Sequence, residues 1–431
     1  MTGKLYKKAT IRDTWLMSAP GSALFSDVYR PDAKVARFLC VLVFSGIAYG
    51  LYRGIQDNYL AEIIHITPFE RGIVEFFRET PGLLLIFVLA FMYRFSDSRI
   101  FKIGTAIMTG GILGILLTTS SRFFMTKFFV VFFMVLFSVG EHLIMPVRTT
   151  ISMDLAKREK AGASLGITSS ITQLGQIMGF IIVTALFFIL ARKGFTRTDI
   201  LGYRLVIGIS VALMITSVLV VLALKETTLK MQRRRFYFAK KFHKYYMLEI
   251  FYGARKQIFL TFAPYVLILH YGADPSIMSA LYAVCAGFGI FCGPLTGRII
   301  DKLGYKVVMV GDTLILVLVC FLYGFAHRLF PPGIAFIVVC SNFVLDSIIS
   351  MASMASNVYV QRIASSQEEI TATLSTGISV NHLISIFIAL IGGWIWKVTG
   401  IEVLFSISAF MGILNSVYAA TIKKSEEYAP Q

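Results

Sequence analysis

The sequence predicts an all-α membrane protein that crosses a bilayer about twelve times. Three observations lead there: the overall hydropathy, the length of the apolar runs, and the placement of the basic residues. Of 431 residues, 56% are hydrophobic and 15% charged, and the mean hydropathy is +0.74. A soluble chain of this length does not tolerate such values, so lipid is the expected solvent for most of its surface. A hydrocarbon core about 30 Å thick is crossed by about 20 apolar residues in helical form. Runs of that size begin near Val35, Phe69, Phe101, Phe128, Ala161, Leu201, Tyr246, Ile277, Lys306, Pro332, Ile370 and Ile401. A β-barrel would show short segments of alternating polarity, whereas Phe128 to Leu143, apart from Ser138, Glu141 and His142, is apolar on every face.

The formal charge of +17 would suggest nucleic acid in a soluble protein, but its distribution points elsewhere. Basic residues collect in the first 34 residues, in Arg94 to Lys102, Arg148 to Lys160, Lys225 to Lys244, Arg298 to Lys306, and at Lys423 and Lys424. Every second connection is therefore basic, the positive-inside pattern, which predicts that both termini are cytoplasmic in a cell membrane. Arg192, Lys193, Arg197 and Arg204 fall on the other side and are outvoted by the remaining loops. The first 34 residues lack an early apolar core and cleavage site, so they read as a tail and not a signal peptide.

The longest polar break, Lys225 to about Lys244, divides the chain six spans from six. The expected organisation is a cytoplasmic tail (1–34), a first bundle (35–224), a basic linker (225–245), a second bundle (246–422) and a short tail (423–431). The halves repeat one another. Ala163-Ser164-Leu165-Gly166 and Thr172-Gln173-Leu174 have counterparts in Ala372-Thr373-Leu374-Ser375 and Asn381-His382-Leu383, about 209 residues later. Gly289, Gly293 and Gly297 share a helical face, as do Gly162 with Gly166 and Gly175 with Gly179, and small residues so spaced let helices approach closely. The five cysteines sit inside apolar runs with no metal-ligand spacing and are expected to be packing residues, so neither a disulfide nor a metal is predicted.

After the last of those glycines comes Gly297-Arg298-Ile299-Ile300-Asp301-Lys302-Leu303-Gly304-Tyr305-Lys306. It resembles the GxxxD[RK]xGxx loop signature of the major facilitator superfamily, in the family's position between the second and third helices of a six-helix half. The first half carries a degenerate copy, Arg94-Phe95-Ser96-Asp97-Ser98-Arg99-Ile100-Phe101-Lys102, without the glycines. The resemblance covers residues 35 to 422. It implies two pseudo-symmetric six-helix bundles around a central cavity, alternating access, and a gating role for Asp97, Gly297, Asp301, Lys302 and Gly304. It implies no substrate, because that scaffold carries many solutes.

Ionisable side chains within spans are costly and are therefore candidates for function. Arg53 and Asp57 lie one turn apart in span one; Glu75, Arg78 and Glu79 precede Pro81 in span two; Glu141, His142 and Arg148 lie in span four. Span seven holds Arg255, Lys256 and Gln257, span ten Asp346 and span eleven His382. Arg53 precedes Asp97 by 44 residues and Arg255 precedes Asp301 by 46, which makes them near-equivalent in the two halves. Cations meeting there would suit a phosphate or carboxylate. In this respect the chain resembles the organophosphate/phosphate antiporter branch, although Gln173 stands in span five and no histidine does. Arg53, Asp57, Arg78, Arg255, Lys256, Tyr52 and His382 are the expected substrate-binding residues, and neutralised structural pairs are the alternative for Arg53 with Asp57 and for Arg78 with its glutamates. Glu141, which has no basic residue one turn away in its own helix, is the first candidate for proton coupling, with Asp57 and Asp346 behind it.

The leading expectation is a secondary transporter of an organic anion, its mark an excess of cations in spans one, two, four and seven. The alternative is an exporter of hydrophobic or amphipathic compounds, suited by Tyr49, Tyr52, Tyr59, Phe262 and Tyr265 as cavity aromatics. A receptor or scaffold on the same fold has little need of charge at mid-membrane depth. No nucleophile elbow, metal cluster or phosphate-cradling loop is present in the sequence, so no enzyme and no cofactor is predicted. The expected partners are a small-molecule substrate, the lipid bilayer and protons, with no nucleic acid, and the chain is expected to be a monomer.

Overall fold

The computed structural model describes residues 26–29, 32–92, 94–120, 125–157, 159–224 and 238–422. The expectations for most of the two tails and for the arginine-rich part of the linker lie outside these residues. The first half consists of α1 (Ala33–Asn58, continued by a π-turn at Tyr59–Ile63), α2 (Pro68–Phe91), α3 (Asp97–Ser120), α4 (Thr126–Leu155), α5 (Ala161–Arg192) and α6 (Ile200–Leu222). The second consists of α7 (His243–Tyr271), α8 (Pro275–Leu303), α9 (Tyr305–Leu329), α10 (Pro332–Ile349), α11 (Met354–Ile363), α12 (Gln367–Thr399) and α13 (Ile401–Ala420). A 3-10 turn at Ser350–Ser353 joins α10 to α11, and the two form one span.

Local chemistry explains where several of these helices begin and end. The Asp32, Asp274 and Ser366 side chains each accept a backbone N–H of the helix that follows, with Pro275 in the first turn of α8 and Glu368 and Glu369 in that of α12. The α8–α9 turn consists of Gly304 alone, at φ +85°, a conformation closed to side-chain-bearing residues without strain. This accounts for the second glycine of the loop signature.

The two halves repeat the same packing. In the first, α1 lies against α5 and α6, and α3 against α4 and α6; in the second, α7 lies against α12 and α13, and α9 against α10 and α13. The halves meet along two helix pairs, α2 with α12 and α5 with α8. Outward-facing Phe128, Leu219, Leu314 and Val417 are more than half exposed, as a bilayer-facing surface requires.

Among the described residues, ten spans are long and apolar enough to cross a membrane by themselves. The helices that do not meet this measure are α2 and α7, whose charged side chains gather at the centre of the molecule. The protein is an all-α membrane protein with two six-helix bundles around a central cavity.

The glycines divide into two groups. Gly46 and Gly50 of α1 press against Gly175 and Gly179 of α5, and a Cβ at Gly179 would stand 2.5 Å from the Ile47 carbonyl oxygen. The expectation of close approach fails for Gly162, Gly166, Gly293 and Gly297, where an added Cβ meets nothing within 4 Å, and Gly289 meets only the Met351 methyl at 3.6 Å. These glycines lie toward the ends of α5 and α8 remote from the Thr184–Ser276 hydrogen bonds that join the two helices. Gly50→Ala, which would overlap the Gln176 carbonyl, is expected to destabilise the protein by about 1–3 kcal/mol. Gly293→Ala is the control, and equal thermal midpoints for the two variants in detergent would refute this packing.

Candidate functional site

A cavity of about 600 Å³ lies between the halves, a volume suited to a small organic solute. It runs from Gln56 and Gln257 in its depth to Tyr245, near the start of α7. Beyond its deep end the halves are stitched together. Ser279 donates to the Gly54 carbonyl (2.9 Å), Asn58 to that of Ala273 (2.8 Å), Arg197 to that of Gly272 (2.6 Å), and Ser276 to that of Thr184 (2.9 Å). The molecule is thus closed at the end where α1 finishes and α8 begins, and the cavity extends toward the end that carries the helix termini at Ala33 and Ala420.

The cavity wall on the α1–α2 side is an ionic ladder. Asp57, 2% exposed, accepts from Arg71 (3.2 Å) and from the Tyr282 hydroxyl of the other half (2.7 Å), and pairs with Arg53 at 3.4 Å. Arg71, 1% exposed, bridges Asp57 to Glu75 (2.7 Å). Glu75 is also held by Arg78 (3.0 Å from Nε) and by Gln257 of α7 (3.2 Å). Arg78 further pairs with Glu79, whose second oxygen meets Nδ1 of His382 at 2.9 Å. The spacing Arg71-Glu75-Arg78-Glu79 keeps these groups on one face of α2, and three arginines balance three carboxylates.

Opposite the ladder stand charged side chains that make no salt bridge within 4.0 Å to a described residue. Lys256 lines the cavity beside the Tyr252 ring (5.9 Å) and has no carboxylate within 4.0 Å there. Glu249, 9% exposed, is held by neutral donors, the Ser356 hydroxyl (3.1 Å) and the Asn381 amide (3.2 Å). Glu141 lines the same cavity and forms no salt bridge with a described residue. A side chamber of about 190 Å³ shares Arg53, Lys256 and Leu260 with the main cavity and is closed by Tyr282, Phe343 and Asp346.

Of the residues expected from sequence, Tyr52, Arg53, Arg78, Lys256 and His382 line the main cavity, as does Glu141. Asp57 sits behind the wall in the ladder, and Asp346 lines the side chamber. Arg255 and Lys256 are separated: Arg255 is buried and directed at Asp346 (3.3 Å), because adjacent positions on a helix project about 100° apart. The expected excess of cations is corrected here, since Arg53, Arg78 and Lys256 share the cavity with Glu75, Glu79, Glu141 and Glu249. The aromatic expectation is corrected too. Tyr49 and Tyr52 line the cavity, but Tyr59, Phe262 and Tyr265 are core residues no more than 2% exposed. In the signature loops, Asp97 is buried at the start of α3 while Asp301 and Lys302 are exposed in the last turn of α8.

Arg71 and Glu249 are the site residues that sequence reasoning overlooked. The i,i+4 spacing of Arg71 and Glu75 was an available signal; Glu249 had none, because its partners Ser356 and Asn381 come from α11 and α12.

The Major Facilitator Superfamily family profile matches residues 38–379, most of the chain. The chain belongs to that superfamily. This facilitator is a membrane transporter of small solutes and not an enzyme. Solved structures agree on the fold. A mutant form of the nucleoside transporter NupG superposes with a TM-score of 0.71 at 14% identity, covering 91% of this chain and 100% of that one. A D-xylose-proton symporter gives 0.69 at 14% identity, over 90% and 96% of the two chains. A bacterial homolog of the human lysosomal transporter Spinster, inward-facing and occupied, gives 0.66 at 15% identity, over 92% and 98%. No curated protein matches the facilitator's sequence.

Proposed function

We propose that this facilitator moves a small organic solute bearing a carboxylate or phosphate, and that Lys256 and Arg53 hold the anionic group. The observation that carries this reading is their shared position: both line the main cavity and its side chamber, and Lys256 makes no salt bridge within 4.0 Å to a described residue. A cation in a partly desolvated cleft gains most from a ligand that neutralises it. Tyr49, Tyr52 and Phe137 form an aromatic shelf nearby, with Tyr52 and Phe137 ring centroids 4.9 Å apart, so a solute with an apolar body fits beside the charge. The basic loops on the side of the helix termini favour cytoplasmic termini in a cell membrane, and on that orientation the cavity faces inward.

Coupling to protons is part of the proposal, with Glu249 as the carrier. A carboxyl group held by a hydroxyl and an amide, with no described cation within 4.0 Å, can exchange a proton as the cavity opens to one side or the other.

A thermal-shift screen of the purified protein tests the substrate class. Sugar phosphates, monocarboxylates and dicarboxylates are compared with neutral compounds of the same carbon skeleton and with lysolipids. Stabilisation confined to anionic members is expected. Equal stabilisation by their neutral analogues, or stabilisation by lysolipids alone, would refute the anion-binding role.

A further inference from the structure

At the inner edge of the α2–α12 contact, Glu79, His142 and His382 each turn one ligand-type atom into a common gap, and these atoms lie within 4.8 Å of one another. They come from α2, α4 and α12, with Glu79 and His382 separated by 303 residues of sequence. Spacing along the chain therefore gives no sign of the cluster.

Three features distinguish it from a chance meeting of polar side chains. His142 Nδ1 lies 2.8 Å from the Ser138 carbonyl, to which only an N–H can donate; this leaves the Nε2 lone pair free. Histidines that bind metals are fixed in this manner by a carbonyl or carboxylate on the far nitrogen. Glu79 is divided similarly, with one oxygen on Arg78 and the other in the gap. Finally, the gap exists because residue 82 has no side chain. A Cβ on Gly82 would stand 2.7 Å from His142 Nε2 and 3.0 Å from His382 Cε1.

We propose that Glu79, His142 and His382 bind one divalent transition-metal ion of the zinc class, which ties the first half of the transporter to α12 of the second. Two imidazoles and one carboxylate are a donor set that zinc takes readily, with a solvent or solute atom in the fourth position. Metal–nitrogen bonds of about 2.0–2.1 Å place neighbouring donors of a tetrahedron roughly 3.3 Å apart, so the gap must contract by about 1.5 Å at its widest. The ion replaces the proton that His382 Nδ1 now donates to Glu79, and that proton moves to Nε2. Because the ligands belong to both halves, the site is complete only where α2 and α12 are in contact, and bound metal opposes their separation.

The test uses the full-length protein freed of metal, titrated with Zn²⁺ against a competing fluorescent chelator, and X-ray absorption at the zinc edge. One equivalent should bind, with a shell of imidazole nitrogen and carboxylate oxygen. His142→Gln and His382→Gln should each weaken binding at least about 10-fold. Gly82→Ala should do the same while keeping every ligand. Zinc binding by the wild type no stronger than by the double histidine variant would overturn the proposal. So would a sulfur-containing shell, which is measured on the wild type alone and does not depend on any variant folding.

Discussion

Lys256→Gln is expected to weaken binding of the anionic compounds that stabilise the wild-type protein by about 10- to 100-fold, with little change in its metal-free, ligand-free thermal midpoint. The magnitude follows from the roughly 1.5–3 kcal/mol typical of a hydrogen bond to a charged group. The selectivity follows from the structure: Lys256 makes no salt bridge within 4.0 Å to a described residue, so its loss breaks none of the ion pairs of the ladder. Arg53→Gln is a less clean experiment, because Arg53 also pairs with Asp57 and lies over the Tyr282 ring at 5.3 Å. Lys256→Arg should retain part of the affinity, since it keeps the charge while altering its shape. Titration of each variant monitored by ligand-induced thermal shift checks this, and an unaltered affinity in Lys256→Gln would remove Lys256 from the binding site.

Arg71→Gln should have the largest effect on stability, a loss of about 3–5 kcal/mol, as is usual when one member of a buried ionic network is removed. Asp57 and Glu75 are then left beneath the surface with their charges undercompensated, at side-chain exposures of 1% and 2%. Replacing Arg71 by Lys keeps the charge but cannot span both carboxylates with a rigid fork, so an intermediate loss is expected. Thermal unfolding in detergent, read alongside the yield of folded protein, decides the matter. A midpoint in Arg71→Gln equal to that of the wild type would mean that the ladder contributes nothing to stability.

The fold was legible in the sequence because its strongest determinants are local. Apolar runs begin within a few residues of the helices they predict, as at Ala161 and Ile401, and the Gly297–Lys306 signature marks a turn whose geometry demands Gly304. The site was legible only in part. Individual charges in spans are conspicuous, and Arg53, Arg78, Glu141, Lys256 and His382 do line the cavity. Which of two adjacent residues faces inward depends on helix rotation, which a span with polar residues on several faces does not reveal; hence Arg255 and Lys256 could not be told apart. Arg71 was passed over because it stands in the first turn of α2, where a cation usually marks the membrane edge. The glycine pattern of α8 misled for a different reason. Small residues permit close approach, but whether another helix uses the opportunity depends on the conformation of the whole molecule.

The two helices too polar to qualify as spans on hydropathy bear on how the chain enters the membrane. Inserted alone, α2 would carry Glu70, Arg71, Glu75, Arg78 and Glu79 into hydrocarbon, at a cost on the order of 10 kcal/mol when each deep charge costs roughly 3. Its i,i+3 and i,i+4 pairs remove part of that cost, and Asp57 at the end of α1 removes more by meeting Arg71. The first two spans should therefore leave the insertion machinery together, as a hairpin neutralised within itself. The residues that shape the cavity of the mature protein would thus also set the order in which the nascent chain commits to lipid.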